Sequence, residues 1–264
     1  EEGMPKALIN GINMYYEDHG TGFPVILIHG YAGTTKSWDG QVESFSKRYR
    51  FVTYDMRGHG QTEAPEDLSK YTQDIVLEDI YQLLRYLGIQ KAVIGGLSLG
   101  GYLSIHFYNQ HPEMTAAIII IDAGPGYRTQ EKAKDWNQRR MDCADVLESK
   151  GMQGFLDSPY SVDDYYTTPE VMLKHNPKGI ANVSRGVMIN PWGVDILPNI
   201  MVPTLVVCGE RDTSFLAATD YMAQKIPGAK KAIVADAGHG VNIDQPRVFE
   251  STILNFLDGL KLEA

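Results

Sequence analysis

Short apolar runs that do not alternate with polar residues are the feature that most constrains the fold of this chain. They occupy residues 24–28, 51–54, 92–94, 116–121, 204–207 and 232–234. Uninterrupted apolar runs of this length are typical of parallel strands covered by helices on both faces. Residues 72–87 carry apolar side chains on one helical face, with Thr72 as a candidate N-cap and Gly88 just past the end. Asn10-Gly11 between two apolar runs predicts a β-hairpin. The alternation of strands and helices predicts a doubly wound α/β fold.

The alternation of predicted strands and helices is interrupted between residues 125 and 195, where no strong strand run occurs. This stretch is far longer than an ordinary crossover and too rich in aromatic and methionine side chains for a disordered linker. We interpret it as a helical cap inserted between two core strands. The predicted organisation is therefore a first core part at 1–124, the cap at 125–195 and a second core part at 196–264.

Composition narrows the possible partners and compartments. The 264 residues include 24 Lys and Arg against 33 Asp and Glu, which gives a net charge of −9. A phosphate backbone or anionic membrane would be repelled by such a protein, so neither is expected as a partner. No apolar stretch reaches membrane-spanning length, and no signal peptide is visible, so the expected location is cytoplasmic. Two cysteines, Cys143 and Cys208, are too few for a disulfide framework.

The strongest chemical signal is the segment 95–101, Gly-Gly-Leu-Ser-Leu-Gly-Gly, which follows an apolar strand and precedes a predicted helix. This is the context that the G-x-S-x-G nucleophile motif requires. A tight strand-to-helix turn crowds the positions two before and two after the nucleophile, and Gly96 and Gly100 carry no Cβ there. Ser98 would then lie at the carboxyl edge of the sheet and at a helix N-terminus, where backbone N–H groups favour a developing anion.

A serine nucleophile needs a base that is oriented by an acid. His239 follows the last predicted strand and is therefore expected at the same sheet edge as Ser98. Asp212, just after the preceding strand, is the favoured acid, and the order Ser, Asp, His is the one that this type of sheet produces. Asp122, directly after residues 118–121, and Glu210 are alternative carboxylates.

An oxyanion hole requires two N–H donors. We predict the backbone N–H of Leu99, the residue after the nucleophile, and that of Tyr31, in the loop after the strand 24–28. His29 is interpreted as a group that braces this loop. The segment 55–60, Asp-Met-Arg-Gly-His-Gly, is interpreted as structural, with its acidic and basic side chains holding the loop by charge-assisted bonds.

Metal and nucleotide chemistry find little support in the sequence. No HxxxH, CxxC or carboxylate cluster with ligand spacing occurs. There is no G-x-G-x-x-G after the first strand and no Walker-type Gly-Lys-Ser/Thr. We therefore expect no cofactor and no metal.

These motifs, in their order and spacing along the whole chain apart from the cap, resemble the α/β-hydrolase superfamily. The match comprises His29-Gly30, the 55–60 segment, Gly96-x-Ser98-x-Gly100, Gly209-x-x-Asp212 and Gly238-His239. The chain resembles the single-domain bacterial branch of esterases, enol-lactonases and C–C hydrolases. The resemblance implies an eight-stranded, mostly parallel sheet with helices on both faces, a helical cap over the site, and hydrolysis without a cofactor.

Departures from the pattern help to choose within that branch. Ser98 disfavours the haloalkane dehalogenases and epoxide hydrolases of this fold, which use an aspartate nucleophile. The loop at 29–33 lacks the proline usual in cofactor-free haloperoxidases and the Gly-Pro-Gly pattern of C–C hydrolases, and no Trp soon follows His239. A carboxylic ester hydrolase acting on a small-molecule ester remains the favoured function.

Two alternatives stay open. One is a hydrolase of an enol-lactone, a C–C bond or a thioester, and the other is a ligand-binding receptor on a hydrolase fold. Trp136, Tyr160 and Trp192 are candidates for an apolar substrate pocket, although ordinary packing of each is the more common outcome. The chain is expected to act as a monomer or homodimer.

Overall fold

Eight strands form a single sheet in the computed structural model, which describes residues 6–161 and 168–262. In chain order they are β1 (Lys6–Ile9), β2 (Ile12–His19), β3 (Pro24–Ile28), β4 (Arg50–Tyr54), β5 (Ala92–Leu97), β6 (Thr115–Ile121), β7 (Thr204–Gly209) and β8 (Lys230–Val234). Their spatial order is β1-β2-β4-β3-β5-β6-β7-β8. Strand β2 pairs antiparallel with both β1 and β4, and the other pairings of these described strands are parallel. This architecture confirms the predicted α/β-hydrolase fold.

Helices cover both faces of the sheet. The helices of the described chain are α1 (Asp39–Ser46), α2 (Gln73–Tyr86), α3 (Leu99–Gln110), α4 (Lys134–Leu156), α5 (Pro169–Met172), α6 (Pro177–Gly186), α7 (Thr213–Lys225), α8 (Val241–Asp244) and α9 (Pro246–Asp258), of which α4, α5 and α6 belong to the inserted connection between β6 and β7. In β3, Ile26 and Ile28 pack in the core on the α2 side, whereas Val25 and Leu27 pack in the core on the α1 and α9 side. Both faces of the strand are therefore buried, which is why its sequence shows no polar alternation.

Several local predictions from the sequence are confirmed. Asn10 and Gly11 join β1 to β2 with φ angles of 47° and 77°, as a type I′ hairpin requires. The Thr72 hydroxyl caps α2 by accepting the Ile75 N–H at 3.2 Å. Gly88 follows the end of α2 with a φ of 70°, a conformation that glycine adopts without steric cost.

The connection from β6 to β7 contains α4, α5 and α6 and no strand among its described residues. Helix α4 is bent at Gly151, where φ is 67° and ψ is −167°. Residues 162–167 of the predicted cap lie outside the described residues. The boundaries at 124/125 and 195/196 stay a prediction. In the part of the chain that the structure describes, no helix is both long and apolar enough to span a bilayer.

Candidate active site

Ser98 occupies a strained turn between β5 and α3. Its φ of 54° and ψ of −113° lie outside the regions that non-glycine residues normally adopt. The Ser98 backbone N–H donates to the Ile121 carbonyl at the end of β6 at 2.8 Å, and the Ser98 carbonyl accepts the Tyr102 N–H at 3.0 Å. These bonds fix the turn to both the sheet and the helix. The strain is therefore held in place by the surrounding structure.

The two glycines that flank Ser98 pack directly on the end of β3. A Cβ on Gly100 would lie 2.1 Å from the Ile28 carbonyl oxygen, and one on Gly96 would lie 2.5 Å from the same atom. Backbone atoms cannot move away as a flexible side chain could, so neither position tolerates a side chain. The crowding that the sequence predicted at the positions two before and two after Ser98 is therefore found in the structure.

His239 and Asp212 meet beyond the ends of β7 and β8. The Asp212 Oδ2 atom lies 2.8 Å from His239 Nδ1, and both side chains are about 7% exposed. Backbone bonds join the two loops, from Glu210 N–H to the Val234 carbonyl and from Arg211 N–H to the Ala237 carbonyl. The sequence-predicted acid and base are therefore adjacent at the carboxyl edge of the sheet.

Asp122, the alternative acid, is engaged elsewhere. Its Oδ1 accepts the Gly209 N–H at 2.8 Å, and the carboxyl group is fully buried. Burial raises the pKa of Asp122 to about 7, because desolvation disfavours the charged form. The carboxyl group that contacts His239 is that of Asp212.

A ring from α7 fixes the face of the His239 imidazole. The Phe215 ring stacks on it with centroids 5.1 Å apart and planes inclined by 24°. Phe215 also lines a cavity of about 330 Å³ whose wall includes Ser98 and Leu99. The described walls of this cavity carry no Lys, Arg, Asp or Glu side chain, so it suits a largely apolar ligand.

The loop after β3 carries Tyr31 and is held by neutral histidines. His29 Nδ1 donates to the Gly30 carbonyl at 2.7 Å, while its Nε2 accepts the Met56 N–H at 3.0 Å. His59 Nε2 accepts the Ala32 N–H at 3.1 Å. Burial lowers the pKa of His29 to about 3 and that of His59 well below its ordinary value. The bracing role predicted for His29 is confirmed.

The segment at 55–60 is structural, as predicted. The Asp55 carboxylate accepts the N–H groups of Thr35 and Gln61, each at 2.8 Å. Arg57 forms two bonds to the buried Asp79 carboxylate, at 2.6 and 2.5 Å. The Asp55 bond to Thr35 holds the loop against the segment that follows Tyr31, and the Arg57 pair holds it against α2.

A third histidine, His175, was not singled out by the sequence. It lies between α5 and α6, is 4% exposed, and bridges two core loops. Its Nε2 donates to the Ala32 carbonyl at 2.8 Å, and its Nδ1 accepts the Gly60 N–H at 2.9 Å. Burial lowers its pKa. No motif marks this residue, because its partners are backbone atoms far away in the chain.

The predicted oxyanion donors occupy suitable elements. Leu99 is the first residue of α3, so its N–H has no acceptor within the helix. Tyr31 is 2% exposed, and its phenol O–H donates to the Ile180 carbonyl of α6 at 3.1 Å. The side chain of Tyr31 thus points to the inserted helices. The roles of both N–H groups stay a prediction.

Only one of the three aromatic cap candidates is found in the described wall of the Ser98 cavity. Trp136 lines it, with its indole N–H donating to the Met188 carbonyl at 2.6 Å. Tyr160 instead lies beneath the guanidinium of Arg139, at 5.3 Å from the ring centroid. The pocket role expected for Tyr160 stays a prediction.

Trp192 follows Pro191, which lines the Ser98 cavity, and its own pocket role stays a prediction. Its backbone N–H and carbonyl both contact the Tyr102 hydroxyl, which turns the indole onto His106 with ring centroids 4.9 Å apart. Trp192 as a whole is 51% exposed and borders a separate cavity of about 340 Å³ beside α2 and α3. Sequence spacing in the inserted segment could not reveal these side-chain directions.

Among the described residues, Asp122, Cys208 and Asp212 form one group whose potential ligand atoms lie within 4.8 Å of one another. Asp122 Oδ1 and Asp212 Oδ2 already have partners in Gly209 and His239. Burial raises the pKa of the Cys208 thiol, which opposes the thiolate that a metal would need. These donors therefore do not suit a cation site.

Comparison with known proteins agrees with the fold. The sequence model of the alpha/beta hydrolase fold matches residues 24–145. Epoxide hydrolase 3 from Xenopus tropicalis is 36% identical over 299 residues, covering 97% of this chain and 78% of that protein. The 3-oxoadipate enol-lactonase 1 of Acinetobacter baylyi is 29% identical over 250 residues, covering 90% of each. A thermophilic esterase from Thermogutta terrifontis superposes with a TM-score of 0.83 at 26% identity, covering 94% of this chain and 93% of the esterase.

The buried histidines predict an acid-sensitive stability. In the unfolded chain a histidine titrates near 6.5, whereas burial keeps His175 neutral to lower pH in the folded protein. The unfolded chain therefore binds more protons below about pH 6.5, and the stability that the neutral histidine contributes is lost as pH falls. Asp55, whose pKa burial raises to about 6, acts in the opposite direction. A single-residue comparison is needed to separate the two effects.

We expect His175→Gln to be less stable than the wild type at pH 7.5, by about 1–3 kcal/mol, because two buried backbone groups lose their partner. The free-energy difference should narrow below pH 6.5, by at most about 1.4 kcal/mol per pH unit. Urea denaturation of both proteins at several pH values measures this difference in the free energy of unfolding. A difference that stays constant from pH 7.5 to 5 would contradict this account of His175.

Proposed function

The chain belongs to the α/β-hydrolase fold family, and we propose that it is a serine hydrolase that cleaves carboxylic esters through an acyl-enzyme on Ser98. The observation that carries the proposal is the 2.8 Å contact between Asp212 and His239 at the sheet edge that holds the strained Ser98 turn. In serine hydrolases, an acid orients a histidine that activates a serine hydroxyl at a helix N-terminus, and the Asp212–His239 pair at the edge that carries Ser98 supports that assignment.

In the proposed mechanism, His239 removes the proton from Ser98 as the serine oxygen attacks the ester carbonyl carbon. Asp212 holds the His239 Nδ1–H and stabilises the imidazolium that forms. The backbone N–H groups of Tyr31 and Leu99 donate to the tetrahedral oxyanion. His239 then gives its proton to the departing alcohol, and the acyl group remains on Ser98.

The second half of the reaction releases the acid. His239 removes a proton from water, whose oxygen attacks the acyl carbonyl, and Ser98 leaves with that proton. Loss of a single oxyanion donor in such a site costs about 3–4 kcal/mol of transition-state stabilisation. The precise placement of the Tyr31 loop by His29 and His59 therefore supports catalysis as well as folding.

The cavity supports a small to medium apolar substrate. Its volume of about 330 Å³ and its wall of aromatic and aliphatic side chains favour an uncharged group next to the ester. A lactone is a cyclic ester and would follow the same two steps, and the similarity to an enol-lactonase supports this second candidate. The substrate is thus proposed to be a small-molecule ester or lactone.

Replacement of the nucleophile tests the proposal most simply. We expect Ser98→Ala to lower the turnover of 4-nitrophenyl acetate, butyrate and octanoate at least about a thousandfold, because no acyl-enzyme can form. Ser214 is the other serine in the described wall of the cavity, and Ser214→Ala is the matched control. Wild-type-like turnover of Ser98→Ala, or the loss appearing in Ser214→Ala instead, would reject Ser98 as nucleophile.

The two carboxylates can be distinguished by paired amide substitutions. Asp212→Asn should lower kcat by about a thousandfold or more, because an amide does not hold His239 in the required tautomer. Asp122→Asn should lower it less than about tenfold, since this carboxyl group contacts the Gly209 N–H. Steady-state kinetics with unfolding curves for both variants give the comparison. The opposite ranking would assign the acid to the end of β6.

A further inference from the structure

Arg140 is a buried cation without an anionic partner in the described chain. Its side chain belongs to α4 and is 6% exposed. Within residues 6–161 and 168–262, its guanidinium makes no hydrogen bond or ion pair, and its Nε atom is fully enclosed. Arg57, the other deeply buried arginine described, is instead neutralised by two bonds to Asp79. A buried guanidinium without an acceptor is costly, so its retention requires a reason.

Two aromatic rings hold the Arg140 guanidinium. Its Cζ atom lies 5.0 Å from the Trp136 ring centroid and 5.6 Å from the Tyr31 ring centroid. Cation–π contacts of this kind partly compensate for lost hydration. A ring face accepts no conventional hydrogen bond, so within the described residues the enclosed Nε–H of Arg140 has no acceptor.

Both rings connect Arg140 to the candidate active site. Trp136 forms part of the wall of the Ser98 cavity, together with Met188, whose carbonyl accepts the Trp136 indole N–H. Tyr31 belongs to the loop that carries the proposed oxyanion donor. The guanidinium therefore adjoins both the cavity wall and the oxyanion loop.

We propose that Arg140 binds a carboxylate of the substrate, so that the ester hydrolysed at Ser98 is a half-ester or lactone with a second, anionic end. This inference rests on the proposed function. A planar guanidinium offers paired donors that match the two oxygens of a carboxylate. The apolar cavity would take the hydrocarbon segment between the reacting carbonyl and the anionic group.

The net charge of the protein would not by itself produce a preference for an anionic substrate. With a net charge of −9, the protein as a whole disfavours the approach of an anion. The described cavity wall supplies no cation of its own. A preference for an anionic over a neutral ester would therefore point to a local positive group, and Arg140 adjoins this wall.

The test compares two substrates that differ only at the far end. These are 4-nitrophenyl hydrogen adipate, which is anionic, and 4-nitrophenyl methyl adipate, which is neutral and of similar shape. Release of 4-nitrophenol gives kcat/KM for each, with Ser98→Ala as the background. The enzymes are the wild type, Arg140→Gln, Arg140→Lys and, as the matched control, Arg139→Gln, which removes the neighbouring arginine that lies over Tyr160.

We expect the wild type to prefer the anionic ester by about tenfold or more, and Arg140→Gln to reduce that ratio by about 10- to 100-fold. Arg140→Lys should retain part of the preference, and Arg139→Gln all of it. The proposal is overturned if the wild type prefers the neutral ester or if Arg140→Gln leaves the ratio unchanged.

Binding of adipate separates this proposal from the proposed function. Isothermal titration calorimetry should show that adipate binds the wild type and Ser98→Ala, and that Arg140→Gln binds it at least about tenfold more weakly. If neither ester is hydrolysed but this binding pattern is found, the ester hydrolase function fails and the carboxylate site stands. If the neutral ester is hydrolysed through Ser98 and adipate does not bind, the carboxylate site fails alone.

Discussion

The contact of two glycines with the end of β3 is the constraint on which the site depends. Gly96 and Gly100 approach the Ile28 carbonyl so closely that a Cβ on Gly100 would lie 2.1 Å from the oxygen. This packing lets β5 turn sharply into α3 and holds Ser98 at a φ of 54°. At the same edge of the sheet, the Ser98 N–H donates to the Ile121 carbonyl, and this bond joins the turn to the end of β6. The loops that carry Asp212 and His239 follow the carboxyl ends of β7 and β8 at the same edge of the sheet.

Four histidines near this edge have different tasks that depend on their partners. His29, His59 and His175 each contact backbone groups, and burial lowers the pKa of all three, so they act as neutral braces. His239 contacts a carboxylate and a phenyl ring at the edge of a cavity. The three bracing histidines thus differ from the proposed catalytic base in that their partners are backbone groups, whereas the Nδ1 of His239 contacts a carboxylate.

Much of the core could be predicted from the sequence, because it follows local patterns. The bounds of β3, the start of a helix after Ser98, the hairpin at Asn10 and the cap at Thr72 all follow from periodicity or turn chemistry. The positions of Asp212 and His239 after successive strands predicted their proximity. Features set by tertiary contacts could not be predicted this way. The contacts of Tyr160 with Arg139 and of Trp192 with Tyr102 join residues far apart in the chain, and the bridge formed by His175 has no signature in the sequence.

The central claim is that Ser98 forms a covalent acyl intermediate, and active-site labelling tests it most directly. The protein would be treated with a fluorophosphonate, and the modified residue located by peptide mass spectrometry alongside the remaining esterase activity. The account predicts one label per chain, on Ser98, with activity lost in proportion to labelling. A label on Ser214, or full ester hydrolysis after Ser98 is completely modified, would contradict it.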